Sequence, residues 1–332
     1  MEKKIHTVLG LISPEELGYT QCHEHLLLSK GESYRQNPVL WMDDVEASAK
    51  ETKAYRRLGG SALVEAQPVG CGRMSRGLEE ISGRTGVHIV ASTGFHKMQF
   101  YPKGHWIRNT DQGRLAGLFV EELTRGMYAG TDQASPFEGG EFVGQAHAGA
   151  KVCQTGTCAG IIKTALDGCG LEGVYRELFE AAAAAQKETG APMMVHIESG
   201  SSPMELVSFL EKKGVGPERV YFCHMDRACG DPEIFRQVLD SGISLEFDTI
   251  GRFRYHSDGE ELVLIKKILA EGEDRLLLSL DTTRARLKSY CENAVGLTYI
   301  LEHFLPMMRR EGISEMQLRK IFVENPARIL AW

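Results

Sequence analysis

The stretch AGIIKTALDGCGLEGVYRELFEAAAAAQKETGAPMMVHIES, residues 159–199, changes its apolar period twice. AGIIKTAL and PMMVHIES are short, nearly continuous apolar runs. Between them, in VYRELFEAAAAAQKETG, apolar residues fall three and four apart and the run ends on Gly190. A continuous apolar run fits a strand buried on both faces, and the 3.6-residue period fits a helix with one covered stripe. A glycine just past the last periodic residue supplies the left-handed cap. The segment therefore reads strand–helix–strand, the unit from which parallel sheets are built.

The same alternation extends in both directions. GYTQCH, SALVEAQ and HIVAST precede the stretch as strands, followed in turn by the helical patterns DDVEASAKETKAYRRLG, SRGLEEISGRTG and, after a long loop, RLAGLFVEELTRGMY. RVYFCHMD, ISLEFDTIG and RLLLSLDTT follow it, alternating with PMELVSFLEKKG, PEIFRQVLDSG, GEELVLIKKILAEG and NAVGLTYILEHFLPMM. Eight strand–helix units predict an α/β fold, a (β/α)8 barrel, over 1–332 as one domain, because no composition shift marks a boundary. An open doubly wound sheet is the alternative.

Composition narrows the function classes. The 332 residues are 42% hydrophobic and 25% charged, with a formal net charge of −7. That composition and the absence of a long basic run argue against nucleic acid as a partner. MEKKIHTVLGLISPEELG lacks an apolar signal core, and no segment reads as a membrane span, so a cytoplasmic location without a membrane partner is expected. The eight cysteines contain no Cys-x-x-Cys pair. They read as buried thiols, not as a zinc site at Cys153 and Cys158. A homodimer is the expected assembly.

In such a barrel the chemistry lies at the C-terminal ends of the strands. His23 and His25 end the first strand, and alternation points residues i and i+2 the same way. Lys163 follows the apolar AGII, His196 follows PMMV, His224 follows VYFC and Asp281 follows LLLSL. Singly, each has a plain reading: a histidine on a backbone carbonyl, a solvated lysine, an aspartate capping a helix. Together they place four imidazoles, an amine and a carboxylate at one mouth.

The sequence resembles the phosphotriesterase family of the amidohydrolase superfamily, in its lactonase branch. The resemblance rests on TQCHEHLLL, GGSALVEAQ, GVHIVASTGFH, AGIIKTAL, PMMVHIESG, ERVYFCHMDR, GISLEFDTIGR, LLLSLD and FVENPARIL, which occur in family order along nearly the whole chain. It implies hydrolysis at a binuclear metal site. His23, His25 and Asp281 would hold the more buried metal, and His196 and His224 the more exposed one. Lys163 would bridge both as an N6-carboxylysine formed with carbon dioxide. A carbamate suits two cations where an ammonium would be repelled. Zinc is the expected metal, with manganese, cobalt and iron as alternatives of similar ligand preference. A bridging hydroxide would attack, and Asp281 would carry the proton as the catalytic residue.

Basic residues follow strands seven and eight, where this fold commonly holds phosphate. They are Arg252 and Arg254 in TIGRFRYH, and Arg284 and Arg286 in DTTRARLKSY, with Tyr290 nearby. Lys97 adds charge from the third loop, where Phe100, Tyr101 and Trp106 offer a pocket wall. The alternative for the arginines is solvation or pairing with Glu246, Asp248 and Asp258. An anionic small-molecule substrate is expected, with a phosphorylated or otherwise anionic sugar lactone as the leading choice. A neutral ester or phosphotriester and a non-catalytic binding barrel are the other readings.

Overall fold

The computed structural model describes residues 2–144, 150–271 and 275–332. Eight strands form one parallel sheet: β1 (Thr20–Glu24), β2 (Ala62–Glu65), β3 (His88–Gly94), β4 (Ile161–Leu166), β5 (Met193–Ile197), β6 (Val220–Cys223), β7 (Ser244–Phe247) and β8 (Leu276–Leu278). Each pairs with the next in chain order, so the sheet curls into a nearly closed barrel. The principal outer helices are α1 (Val45–Arg57), α2 (Ser75–Thr85), α3 (Gln112–Thr124), α4 (Val174–Thr189), α5 (Pro203–Lys213), α6 (Pro232–Asp240), α7 (Asp258–Ala270) and α8 (Leu305–Arg310). Among the described residues no helix is long and apolar enough to cross a membrane.

Two apolar layers result. The larger lies between strands and helices; the smaller fills the barrel with Val64, Val90, Ile161, Met194, Tyr221 and Leu277, closed by Ile329 and Leu330 from the C-terminus. Moving two residues along the same inward face changes the chemistry. Ile161 gives way to Lys163, Met194 to His196, and Leu277 to Ser279 and then Asp281. The barrel is therefore apolar at its floor and polar at its mouth, because the side-chain period of a strand is two.

In β1 simple alternation is broken. The register with β2 shifts between Gln21 and Glu24. Cys22 packs in the barrel interior, yet His23 and His25 both reach the mouth. A bulge of this kind re-aims a side chain beside a site. The end of β3 shows another close fit: Gly94 has φ +91°, and a Cβ there would meet the Lys163 carbonyl oxygen at 1.9 Å. Only glycine lets β3 approach β4 at the level of the lysine.

The barrel closes through side chains. Ser279 Oγ accepts from the Cys22 and His23 N–H groups at 2.8 and 2.9 Å and donates to Glu246 at 2.5 Å. Glu24 accepts from the Leu280 and Thr282 N–H groups at 2.8 and 3.1 Å, and the Asp281 N–H donates to the His23 carbonyl at 3.1 Å.

Several local expectations change. Lys163 lies inside β4, which continues to Leu166, and Ala165, not Lys163, pairs with His196. The lysine therefore enters deeper than the histidine. The helical pattern expected from residue 293 begins instead at Ile300, as a π-helical turn preceding α8. Of the cysteines, Cys169 and Cys291 are exposed.

Ser279→Ala removes the shared acceptor of two buried N–H groups. Each such group left unsatisfied costs about 1–3 kcal/mol. Denaturant unfolding should show a stability loss of about 2–4 kcal/mol with an unchanged slope. A loss below about 0.5 kcal/mol would mean that Ser279 does not hold the seam.

Candidate metal and substrate site

A cavity of about 660 Å³ opens at the C-terminal ends of the strands. His23, His25, His196, His224 and Asp281 line it, and Lys163 lies beneath, fully buried. His23 Nε2 and His25 Nε2 stand 3.7 and 3.5 Å from one Asp281 oxygen. His224 Nε2 is 2.7 Å from His196 Nδ1, and Lys163 Nζ is 3.5 Å from His23 Nε2. All six residues expected as metal ligands thus meet in one place.

Second contacts orient the rings. Asp248 Oδ2 accepts from the His224 N–H at 3.0 Å and lies 3.2 Å from His23 Nδ1, while its Oδ1 contacts His224 Nδ1 at 2.6 Å. Glu65 lies 3.6 Å from His25 Nδ1, and Glu198 lies 2.9 Å from His196 Nε2. Carboxylates on the outer nitrogens leave the inner ones as donors, the usual support of imidazole ligands. His224 (φ 63°) and Asp281 (φ 48°) are the only non-glycine residues with positive φ among those described. Such backbone costs about 1–3 kcal/mol per residue and persists where the surroundings hold it.

The charges sort the groups. Burial, with Lys163 as the next cause, lowers His23 to about 4. Burial lowers His196 to about 3 and takes His224 well below the usual histidine value. These rings are neutral at pH 7, as ligands must be. Burial also works to lower His25, but its contacts with Asp281 and Glu65 outweigh it and raise it to about 9. Burial opposes ionisation of Asp281, yet Arg252 and the two imidazoles hold its carboxyl well below the usual carboxylate range.

Do these residues fit two divalent metals? His23, His25 and Asp281 offer donor atoms within 4.8 Å of one another, as do His224, Asp248 and Asp281. His23 Nε2 and His25 Nε2, the nitrogens turned toward Asp281, are the pair that one metal would take. Among the described residues no carboxylate forms an ion pair with Lys163, although its side chain is completely buried. A buried amine facing imidazoles with no anion is poorly compensated. Conversion to a carbamate would make it a ligand. The donor set fits.

The rim departs from expectation in part. Arg252, Arg254, Arg286 and Lys97 line the cavity. Arg252 is tied to Asp281 at 2.9 Å, Arg286 donates to the Ile250 and Gly251 carbonyls, and Lys97 pairs with Glu198 at 2.5 Å. The structure does not bring Arg284 or Tyr290 into the cavity. Arg284 stacks between Trp41 and Tyr290 and donates to the Trp41 carbonyl at 3.2 Å. Tyr290 bonds Ser48 and the Asp44 carbonyl. The irregular turn after β8 sends alternate residues to opposite sides. In the third loop Phe100 lines the cavity, whereas Tyr101 is buried and Trp106 bonds the Thr131 carbonyl.

Sequence reasoning missed Arg227, which lines the cavity 3.9 Å from Asp281 and lies against Tyr255. It also missed the orienting role of Asp248. The signal was present: Glu246, Asp248 and the barrel interior share one strand parity.

The model of the Phosphotriesterase family matches residues 3–135 and 139–330. The chain belongs to this family. It is a metal-dependent hydrolase acting on ester bonds. A phospho-furanose lactonase from Mycoplasmopsis synoviae is 30% identical, with 100% of this chain and 93% of the relative covered. An amidohydrolase structure from Mycoplasma synoviae superposes with a TM-score of 0.89 at 28% identity, covering 100% and 92% of the two chains. A lactonase structure from Listeria monocytogenes gives 0.84 at 28% identity, covering 98% of each.

Metal loading should depend on pH through His25. Below about 9 its ring holds a proton that a metal must displace, so raising the pH favours the metal. Apparent affinity should rise up to about tenfold per unit between pH 7 and 9. Glu65→Gln removes one contact that raises His25 and should flatten that rise. Identical titration slopes for both proteins would contradict this role of His25.

Proposed function

We propose that the protein is a lactonase that opens a phosphorylated or otherwise anionic sugar lactone at a binuclear metal centre. His23, His25 and Asp281 would hold one metal, His196 and His224 the other, and Lys163, as a carbamate, both. The supporting observation is the cavity itself, with ligand-type residues at its base and the guanidinium groups of Arg227, Arg252, Arg254 and Arg286 along its wall. The similarity to a phospho-furanose lactonase supports the same reading. When bound, the metals supply Lewis acidity toward the carbonyl oxygen and lower the pKa of water.

The chain's own residues supply the rest. Asp281 stays ionised because Arg252 stands beside it, so its carboxylate can accept the proton of the attacking water. The same oxygen can return that proton to the alkoxide released as the ring opens. Asp248 keeps His224 in a strained backbone geometry and so fixes the site's far wall. Arg254, exposed on the rim, and Arg227 and Arg286, each with a buried Nε that has no partner, are guanidinium groups with capacity left for a substrate anion. Arginine forks suit phosphate oxygens. A cytoplasmic location follows if the substrate is phosphorylated, because such sugars do not cross membranes unaided.

Steady-state kinetics on a phosphorylated sugar lactone and its unphosphorylated counterpart test this. A charge-assisted hydrogen bond is worth about 1.5–3 kcal/mol. Arg254→Ala or Arg227→Ala should therefore lower kcat/KM on the phosphorylated lactone by about 10- to 150-fold and on the neutral one far less. Arg284→Ala, outside the cavity, should treat both alike. Turnover of neutral lactones or esters alone by the unmodified protein would favour the neutral-substrate reading, and none with metal bound the binding-protein reading.

A further inference from the structure

A second set of donors lies outside the mouth. Asp226 follows β6, Thr249 and His256 belong to the loop after β7, and Glu261 sits in the first turn of α7. One donor atom each from Asp226, His256 and Glu261 lies within 4.8 Å of the others. None of the three lines the mouth cavity.

The bonding pattern within the set is lopsided. Asp226 Oδ2 accepts from the Asp248 N–H at 2.9 Å, the Thr249 N–H at 2.7 Å and the Thr249 hydroxyl at 2.5 Å. Burial and the neighbouring Asp248 raise this carboxyl group, and the donors on Oδ2 work against them in favour of the carboxylate. Its other oxygen, Oδ1, is buried with no partner. Glu261 repeats this. Its Oε2 lies against His256 Nε2, while Oε1 is buried and unpartnered. Asp226 is 7% and Glu261 0% exposed, so these oxygens lie away from bulk solvent. His256 Nε2 also meets the Thr249 hydroxyl at 3.1 Å.

Two buried carboxyl groups thus face one imidazole, and burial, with Asp248 acting on Asp226 and Asp226 on Glu261, raises both above the usual carboxylate range. A protonated ring balances one negative charge. A divalent cation beside a neutral ring balances both ionised groups. Arg227, the nearby guanidinium, is engaged with Tyr255 at 3.0 Å and directed to Asp281. Two carboxylates, an imidazole nitrogen and a neighbouring hydroxyl make a mixed nitrogen and oxygen set suited to zinc or manganese.

We propose that Asp226, His256 and Glu261 hold a further divalent cation, structural in role and separate from the mouth. It would tie the loop after β7 to α7 and to the end of β6. That loop carries Arg252 and Arg254, so the cation would set the position of the rim that meets substrate.

Metal content of the zinc-loaded full chain tests this by difference. Glu261→Gln and His256→Gln should each bind one equivalent less than the unmodified protein, whatever the mouth itself holds. A His23→Asn/His25→Asn variant should keep an equivalent that Glu261→Gln then removes. Should these variants misfold, anomalous diffraction from crystals of the unmodified zinc-loaded protein decides. A peak among Asp226, His256 and Glu261 supports the site. Unchanged metal content in folded Glu261→Gln, or no peak there beside peaks at the mouth, overturns it and leaves a proton shared between the carboxylates.

Discussion

The seam between β8 and β1 is the constraint on which the site depends. A barrel of eight strands must bring its last strand to its first, and here side chains make that junction. Ser279 holds the Cys22 and His23 N–H groups, and Glu24 holds those of Leu280 and Thr282. His23, His25 and Asp281 all sit on this junction. Their mutual distances are therefore set by closure, not by any one strand. The same bonds explain two buried polar residues, Ser279 and Glu24, at the level where the interior changes from apolar to polar.

Above the seam, the mouth is a problem of buried charge. Four imidazoles, an amine and carboxylates at 65, 246, 248 and 281 are all less than a tenth exposed. Burial alone would discharge most of them. Burial does this at His23, His196 and His224, whose rings are neutral, while Arg252 and the neighbouring imidazoles keep Asp281 ionised against it. Asp248 shows how strain and charge combine. It satisfies both the backbone and the ring of a histidine held at positive φ. Backbone strain at His224 and Asp281 marks the two places where the chain turns sharply to present a side chain inward.

Much of this was legible in the sequence, for physical reasons. Parallel strands covered on both faces are written as apolar runs, so all eight could be found. Polar residues closing those runs, from His23 to Asp281, stood out against them. The bulge in β1 was not legible, because one extra residue leaves no compositional trace. Nor were the arginine destinations. Arg252 and Arg254 reach the cavity while Arg284 stacks on Trp41, a difference set by loop dihedrals and not by periodicity. Arg227 escaped notice because it lies just past RVYFCHMD, the run read as strand six, on a four-residue helix, Met225–Ala228, that no period announces.

Lys163, wholly buried and without a carboxylate ion pair among the described residues, is proposed to enter the chemistry as an anion. Carbon-13 NMR of zinc-loaded protein prepared in labelled bicarbonate measures this directly. One carbamate carbon per chain is expected, lost in Lys163→Ala together with bound metal. A fully metal-loaded, active protein without that resonance would contradict it.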